Sequence, residues 1–307
     1  NNDRTAAYIL TTDLDCTTDG NNIMVGNTNA GFSGIFDGGN HAITINIDTT
    51  GVSNVGLFSY IENGGIVRHI TVNGSVSGDS FNTGMIAGSI NGSSAIDVHS
   101  TGTVSSDSDY TGGLFGQSLC DAIITDSDSS GLIVGINFVG GISGFDGCEG
   151  PGSTMTNVFS TGSINGNDYV GGITGQANSI DLNGAYATGL ISGQDYVGGI
   201  IGQYNGYEYE DRKIFHTYAT GDVSGRYYVG GFIGYSDYGV ISQSFARGNV
   251  TAGQDNIGGF IGHTGNDLTI RDTYARGNVT ITLGEGDAGG FIGEGSDDTL
   301  ISTSYST

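Results

Sequence analysis

Glycine recurs at a nearly constant interval along this chain, and that interval limits the possible folds more than any other feature. Nine glycines mark a Gly-Gly-like corner followed by an apolar pair: Gly56, Gly84, Gly113, Gly141, Gly172, Gly199, Gly231, Gly259 and Gly290. Successive gaps are 28, 29, 28, 31, 27, 32, 28 and 31 residues. A period of this size is typical of stacked supersecondary units that share one continuous core. The sequence therefore predicts a rod built from similar turns.

The composition favours strands over helices. Glycine provides 58 of the 307 residues, there is one proline and no tryptophan, and Val and Ile are the main apolar residues. Such a mixture suits short strands joined by tight turns. No stretch shows a sustained period of 3.6 residues, so we expect almost no α-helix.

Each repeat contains three short apolar segments separated by glycine corners. In one repeat they lie at 214–218, at Val223 and at 229–233. Three strands in about 29 residues describe one coil of a parallel β-helix, in which every strand pairs with its equivalents above and below. We therefore predict an all-β parallel β-helix (β-solenoid) of about nine to ten coils. A rise near 4.8 Å per coil makes the rod roughly 45 Å long.

The two ends differ from the middle. Residues 1–50 contain apolar segments that depart from the repeat, which predicts an atypical N-terminal cap or first coil, followed by repeats over 51–307. The segment 300–307 matches the start of a repeat and then stops. It predicts an open C-terminal rung, which is a template for strand pairing.

The charge of the chain is strongly negative. There are 32 acidic and 8 basic residues, for a formal net charge of −24. This surface repels nucleic acid and anionic lipid, and no apolar run approaches the roughly 20 residues needed to cross a bilayer, so we expect neither nucleic-acid binding nor membrane insertion. Six basic residues fall in one third of the chain, either as scattered ion pairs or as a place for an acidic partner: Arg212, Lys213, Arg226, Arg247, Arg271 and Arg276.

Two cysteines occupy equivalent positions in consecutive repeats. Cys120 lies seven residues after Gly113, and Cys148 lies seven residues after Gly141. Adjacent strands are about 4.8 Å apart, within the Cα separation that a disulfide requires. We predict a Cys120–Cys148 disulfide, with two stacked thiols as the alternative. A disulfide indicates an extracellular, oxidising setting, and the sequence assigns no role to Cys16.

A polar column precedes the glycine corner by four residues. It contains Asp109, Asn137, Asp168, Asp195 and Asp255. Stacked carboxylates repel at about 5 Å, so Asp168 and Asp195 either face water, bind calcium or share a proton as a glycosidase pair would. Calcium is the only cofactor considered. A cleft formed by Asp195, Arg226 and Tyr228 would favour action on a polysaccharide.

Two aromatic columns accompany these repeats. One comprises Phe81, Tyr110, Phe138, Tyr169, Tyr196 and Tyr228, and the other comprises Phe159, Tyr186, Tyr218, Phe245, Tyr274 and Tyr305. The second column packs inside the rod, or it faces outward, depending on where a turn falls between Tyr218 and Val223. Facing outward, Tyr186, Tyr218, Phe245 and Tyr274 are candidates for stacking on sugar rings.

Other motifs are sparse. Four Asn-x-Ser/Thr sequons make Asn73, Asn91, Asn249 and Asn278 candidates for glycosylation. No His-Glu-x-x-His pair is present, and the five histidines are scattered singly. We therefore predict no catalytic residues.

The repeated corner resembles the GLUG repeat. Gly-Gly, two mostly apolar residues and Gly recur at 112–116, 140–144, 171–175, 198–202, 230–234, 258–262 and 289–293, with a partner strand such as Tyr218-Ala219-Thr220-Gly221-Asp222-Val223. The stretch 32–38 resembles the segment that often precedes such repeats, so the resemblance covers residues 30–307. It implies a large secreted or surface-anchored microbial protein of the adhesin type, and some relatives carry GLUG repeats beside a metallopeptidase domain.

These observations predict an extracellular or cell-surface protein without catalytic activity. Its expected role is structural or adhesive, as a surface stalk or a self-assembling filament subunit. Expected partners are other copies placed end to end, the rest of a longer surface protein, or glycans. The alternative is a β-helix that binds or cleaves polysaccharide.

Overall fold

The computed structural model describes residues 3–18, 24–26, 30–148, 152–206, 213–283 and 286–307. Over these residues the chain winds as a parallel β-solenoid of about ten turns with roughly 29 residues per turn, and it contains no helix. The predicted all-β solenoid is therefore confirmed. Its strands form three parallel sheets, called here faces 1, 2 and 3, with 25, nine and eight strands.

Face 1 consists of Ala7–Ile9, Leu14–Asp15, Ile35–Thr49, Ile66–Gly78, Ser94–Ser106, Ile123–Thr125, Asp128–Ser129, Leu132–Val134, Thr154–Thr156, Phe159–Ser160, Ile164–Asn165, Asp181–Asn183, Tyr186–Ala187, Ile191–Ser192, Lys213–Phe215, Tyr218–Ala219, Val223–Gly225, Gly239–Ser242, Phe245–Ala246, Val250–Ala252, Leu268–Arg271, Tyr274–Ala275, Val279–Ile281, Leu300–Ser302 and Tyr305–Ser306. Face 2 consists of Phe58–Ile61, Ala87–Asn91, Phe115–Leu119, Ser143–Asp146, Thr174–Asn178, Ile201–Asn205, Ile233–Asp237, Ile261–Thr264 and Ile292–Glu294. Face 3 consists of Thr83–Gly84, Thr111–Gly112, Val139–Gly140, Asp168–Gly171, Asp195–Gly198, Tyr227–Gly230, Ile257–Gly258 and Ala288–Gly289.

Each turn visits the faces in the order 1, 3, 2. The three long strands Ile35–Thr49, Ile66–Gly78 and Ser94–Ser106 each cross face 1 without a break, whereas later turns cross it in three short strands. Equivalent residues of successive turns pair directly, as in Ile191↔Val223 and Val223↔Val250. Columns of equivalent side chains therefore run along the rod.

Two apolar compartments fill the cross-section. The larger lies between face 2 and the first part of face 1, and it contains buried side chains such as Ile201 and Ile214. The smaller lies between face 3 and the last part of face 1, and it contains Ile191, Val197 and Val223. Together these compartments give the stacked turns the shared core that the period predicts.

Glycine forms a narrow waist between the compartments. A Cβ atom on Gly172 would lie 2.5 Å from the Cβ of Ala187. The next turn repeats this contact, with 2.7 Å between a Cβ on Gly199 and the Cβ of Ala219. Real Cβ atoms do not approach this closely, so glycine is required because two backbone segments touch there.

The structure corrects the alignment of the first repeats. Gly84 pairs with Gly112, not with Gly113. As a result, the partner of Tyr110 in the preceding turn is Asn82, and Phe81 lies one residue outside the aromatic column in which it was placed. The error arose because the doubled glycine allows two alignments that differ by one residue.

Candidate functional site

The second aromatic column lies on the surface of face 1. This outer ladder consists of Phe159, Tyr186, Tyr218, Phe245, Tyr274 and Tyr305. Ala219, next to Tyr218, is buried, so strand alternation turns Tyr218 outward. Neighbouring ring centroids are 4.7 to 5.5 Å apart, and the ring planes are within 13° of parallel.

This stacking determines which parts of the rings reach the surface. The flat sides of neighbouring rings contact one another within the outer ladder. These rings therefore present only their edges and the tyrosine hydroxyls to the solvent. Stacking of sugars on Tyr186, Tyr218, Phe245 and Tyr274 stays a prediction. The geometry limits such contacts to ring edges and hydroxyl groups.

Two arginines lie beside this ladder. The Arg247 guanidinium carbon is 4.6 Å from the ring centroid of Phe245, and Nη2 donates a hydrogen bond of 2.5 Å to the Tyr274 hydroxyl. The Arg276 guanidinium carbon is 5.3 Å from the ring centroid of Tyr274. Both arginines are exposed and lie in successive turns.

The first aromatic column lies where the chain turns into face 3, at the start of the face 3 strands or just before them. This corner ladder consists of Tyr110, Phe138, Tyr169, Tyr196 and Tyr228, with centroids 4.6 to 4.8 Å apart. All five residues adopt left-handed backbone conformations, with φ between 53° and 67°. Phe145 and Tyr235 pack edge-on against the ladder. Burial raises the pKa of Tyr196 to about 12, aided by the neighbouring Tyr169 and Tyr228.

The predicted polar column is a chain of contacts between turns. The Asn137 side-chain amide donates to Asp109 at 3.0 Å, and the backbone N–H of Asp195 donates to Asp168 Oδ1 at 3.3 Å. Arg226 then makes a bidentate ion pair with Asp195, at 3.1 and 2.9 Å. The column therefore alternates carboxylates with neutral or positive groups, except where Asp168 adjoins Asp195.

Asp168 is the member of this column whose carboxyl group lies beside another carboxylate. Burial raises the pKa of its carboxyl group, and the charge of Asp195 raises it further. Arg226 satisfies Asp195, although it also contacts the ring of Tyr227 at 4.9 Å. In the described part of the chain, no group of three or more His, Cys, Asp or Glu side chains is arranged to hold a metal ion. Calcium binding by Asp168 and Asp195 stays a prediction.

Cys120 and Cys148 lie in the same column, as predicted. They follow the paired residues Ser118 and Asp146 by two positions. No bond joins the two sulfur atoms in the structure. Burial raises the pKa of the Cys120 thiol to about 11, with further contributions from a hydrogen bond with Cys148 and its charge. The thiols are therefore neighbours, and the disulfide itself stays a prediction.

Contacts between histidine side chains and carboxylates of neighbouring turns were not predicted from the sequence. His69 and Arg68 both contact Asp37, at 3.2 and 2.8 Å. His99 contacts Asp128 in the next turn and Asp97 at 3.1 Å. Burial alone would lower the pKa of His99, but its hydrogen bonds to these carboxylates raise it. The separation of His99 from Asp128 by one repeat length was the signal that could have revealed the contact.

The predicted glycosylation positions differ in exposure. Asn249 and Asn278 are exposed, whereas Asn73 and Asn91 are half-buried. Asn249 donates through Nδ2 to Asp222 at 3.1 Å, and Asn91 donates to the Tyr60 hydroxyl at 3.1 Å. Their glycosylation stays a prediction.

The remaining basic residues divide into paired and unassigned groups. Arg226 forms the ion pair with Asp195, and Arg271 is exposed on face 1. Arg212 lies outside the described residues.

Among the described residues, no helix has the length and apolar character required to cross a membrane.

The fold and its side-chain ladders place the chain in the class of parallel β-solenoids whose repeats contain a glycine corner. Residues 225–251 match the family model described as the GLUG motif, so the resemblance to the GLUG repeat is confirmed there. No curated protein sequence matches the chain. A crystal structure from Bacteroides ovatus, provisionally named an immunoglobulin A1 protease, is similar with 19% identity and a TM-score of 0.40, over 94% of this chain and 77% of that one.

Proposed function

We propose that this protein is an extracellular structural rod with an adhesive flank and no catalytic activity. The observation that supports this role is the continuity of its ladders. Stacked rings and paired strands link each turn to the next over most of the described chain. Repeats of this kind gain stability from each interface with a neighbour, so a long, uniform rod is the natural product.

The ion-paired polar column supports a non-catalytic role. A retaining glycosidase needs one carboxylic acid and one carboxylate about 5 to 5.5 Å apart, both able to reach the scissile bond. Here Asp195 is held in a bidentate contact by Arg226. This contact stabilises the column and occupies the carboxylate that would have to act as nucleophile.

Residues 300–305 contain the last described strands of face 1, and we propose that a further rung pairs with them. Leu300 is 63% exposed, Ile301 44% and Tyr305 48%. Exposed strand edges with apolar side chains pair readily with further strands. In this proposal the partner is another solenoid rung, provided by a second copy or by a longer chain.

Self-assembly is tested by electron microscopy and light scattering of the purified protein, with and without calcium. The Ile301→Lys variant places a charge at the end of the column that contains the buried Ile241 and Ile270, and it should reduce end-to-end fibres. Leu190→Lys is the matched control, because Leu190 is 61% exposed on the side of the rod. Monodisperse short rods at all concentrations, or equal loss of fibres in both variants, would contradict end-to-end assembly.

Location needs a separate test. Antibodies against the chain should label intact, unpermeabilised cells or the surrounding medium. Labelling confined to permeabilised cells would contradict an extracellular role. The acidic composition and the GLUG resemblance support the proposed location.

A further inference from the structure

A row of exposed side chains runs parallel to the outer ladder. In successive turns the residue two positions after each ring is Thr161, Thr188, Thr220, Arg247 and Arg276. All five are exposed. The row therefore begins with hydroxyl groups and ends with two guanidinium groups, next to the hydroxyls of Tyr186, Tyr218 and Tyr274.

The two arginines are held by rings instead of carboxylates. Arg226 and Arg68 form ion pairs with Asp195 and Asp37. Within the described ranges, no ion pair to a carboxylate is formed by Arg247 or Arg276. Their guanidinium groups lie against Phe245 and Tyr274 instead. Cation–π contacts fix the position of a guanidinium group without neutralising its charge.

Such an arrangement leaves donors available for an anionic ligand. Arg247 uses one hydrogen bond on Tyr274, and a guanidinium group has five N–H donors in a fork that matches a carboxylate. Two forks in adjacent turns offer two such positions. In a chain of net charge −24, an unneutralised arginine pair is an unusual feature.

We propose that the Arg247–Arg276 row binds an acidic polysaccharide through the carboxylate groups of its uronic acid units. The neighbouring tyrosine and threonine hydroxyls supply hydrogen bonds for sugar hydroxyls along the polymer. A groove of about 350 Å³ beside the row adds further hydroxyl and amide groups from Ser192, Ser224 and Asn249. This inference rests on the adhesive part of the proposed function and gives it a ligand class.

The hydroxyl rows favour a glycan over an acidic peptide. The outer ladder repeats every 4.7 to 5.5 Å. Before the last turn, three of its rings carry hydroxyl groups, those of Tyr186, Tyr218 and Tyr274. A polymer of uronic acids presents both carboxylates and several hydroxyl groups on every unit, whereas an acidic peptide offers one backbone N–H and one carbonyl per residue and must extend to reach the rows. The Asp222 carboxylate also lines the groove, and it accepts hydrogen bonds from the backbone N–H and the side-chain amide of Asn249, which lessen its repulsion of an anion.

The test is calorimetric titration of the whole protein with oligogalacturonate, a uronic acid oligomer, at about 0.15 M salt, where distant charges are screened. A neutral oligosaccharide and poly-glutamate are the comparison ligands. We expect binding of oligogalacturonate alone. Because each charge-assisted contact is worth about 1.5 kcal/mol or more, losing one arginine should weaken binding roughly tenfold.

Variants locate the site. The double change Arg247→Gln and Arg276→Gln should abolish measurable binding, and Thr220→Arg should tighten binding by extending the row one turn. Arg271→Gln is the control, because Arg271 is exposed but makes no contact with the outer ladder. Thermal unfolding of each variant verifies that the fold is retained.

Several outcomes would overturn the inference. These are no binding by the unmodified protein, unchanged binding in the double variant, or equal binding of poly-glutamate, which would indicate an acidic protein partner instead. Fibres that form without uronate binding would reject this ligand but keep the assembly proposal. Binding without fibres would do the reverse.

Discussion

At the scale of residues, the left-handed corners explain much of the sequence. The column of the corner ladder continues at its ends with Asn54, Asn82 and Asn256, residues that tolerate positive φ. Between them, five aromatic residues adopt the same conformation. Each bulky side chain in this left-handed conformation costs about 1 kcal/mol. Stacking with neighbours at 4.6 to 4.8 Å offsets that cost, which explains why aromatic residues occur as a run and not singly.

Tyr196 should make the protein sensitive to alkali. Its pKa is about 12 in the folded state, compared with about 10 in an unfolded chain. The neutral phenol is therefore favoured by folding, and its contribution to stability is present below pH 10 and is lost as the pH rises towards 12. In urea unfolding, Tyr196→Phe should lose less stability than the unmodified protein between about pH 10 and about pH 12.

The ladder itself should survive this change, because Phe138 already occupies an equivalent position. Tyr218→Phe is a matched control, since Tyr218 stacks in the outer ladder and Phe245 occupies the equivalent position in the next turn. An identical pH dependence in Tyr196→Phe and the unmodified protein would show that the Tyr196 phenol is not responsible.

Asp168 should destabilise the protein at neutral pH. Its pKa is raised by burial and by Asp195, so folding disfavours the charged form. The penalty is present above the unfolded pKa of about 3.9 and disappears when the pH falls below it. Asp168→Asn should therefore increase stability at pH 7, by less than about 1 kcal/mol because the group is partly exposed. The gain should vanish near about pH 3, below the pKa of about 3.9 that the carboxyl group has in the unfolded chain.

Asp109→Asn is the comparison for this substitution. Asp109 lies in the same column and accepts a hydrogen bond from Asn137, which supplies no like charge. We expect no gain from that change. A larger gain at Asp109 than at Asp168 in chemical unfolding would contradict the explanation by carboxylate repulsion.

At the scale of elements, the glycine corner is a steric requirement. Gly198 is the last residue of a face 3 strand, and a Cβ atom there would overlap the carbonyl oxygen of Ile201. Equivalent overlaps occur at Gly171 and Gly230. The Gly-Gly-x-x-Gly pattern therefore records close contact between backbone segments, which a pattern search reads only as a motif.

Gly198→Ala should be strongly destabilising. The backbone oxygen of Ile201 cannot move without breaking pairing to the next turn, so we expect a loss of about 3 kcal/mol or more. The control is Gly253→Ala, where the nearest atom to a new Cβ would be 3.6 Å away. Similar unfolding midpoints for both variants would contradict the steric role of the corner.

The paired thiols should respond to oxidation. A Cys120–Cys148 disulfide would join two adjacent turns and stabilise the protein by about 3.5 kcal/mol on the chain-entropy estimate. Because the raised pKa of Cys120 disfavours its reactive thiolate, we expect slow formation in air at about pH 7 and faster formation as the pH rises towards about 11. Peptide mapping without reduction checks the bond, and Cys120→Ser is the control. A disulfide from Cys16 to either residue would contradict the predicted pairing.

At the scale of the whole molecule, periodicity explains which features the sequence could predict. The three faces and the stacking of Tyr186 on Tyr218 follow from counting residues between repeats. Asp195 and Arg226 were named together as residues of a candidate cleft, whereas their bidentate ion pair depends on side-chain directions and was not predicted. The placement of Gly84 was wrong by one residue, and the bends at Asp126 and His216 were not predicted. A repeat length fixes which turns touch, whereas local backbone conformation fixes which side chains meet.

The near-identity of successive turns has a consequence for how such a molecule changes over generations. Since Tyr186 and Phe245 occupy equivalent positions on either side of Tyr218, removal of one complete repeat by recombination would bring together two rings that already fit a common neighbour. Gain of a repeat would work in the same manner. The reach of the rod is thus a quantity that inheritance can alter in steps of one turn, with each new junction resembling the old ones.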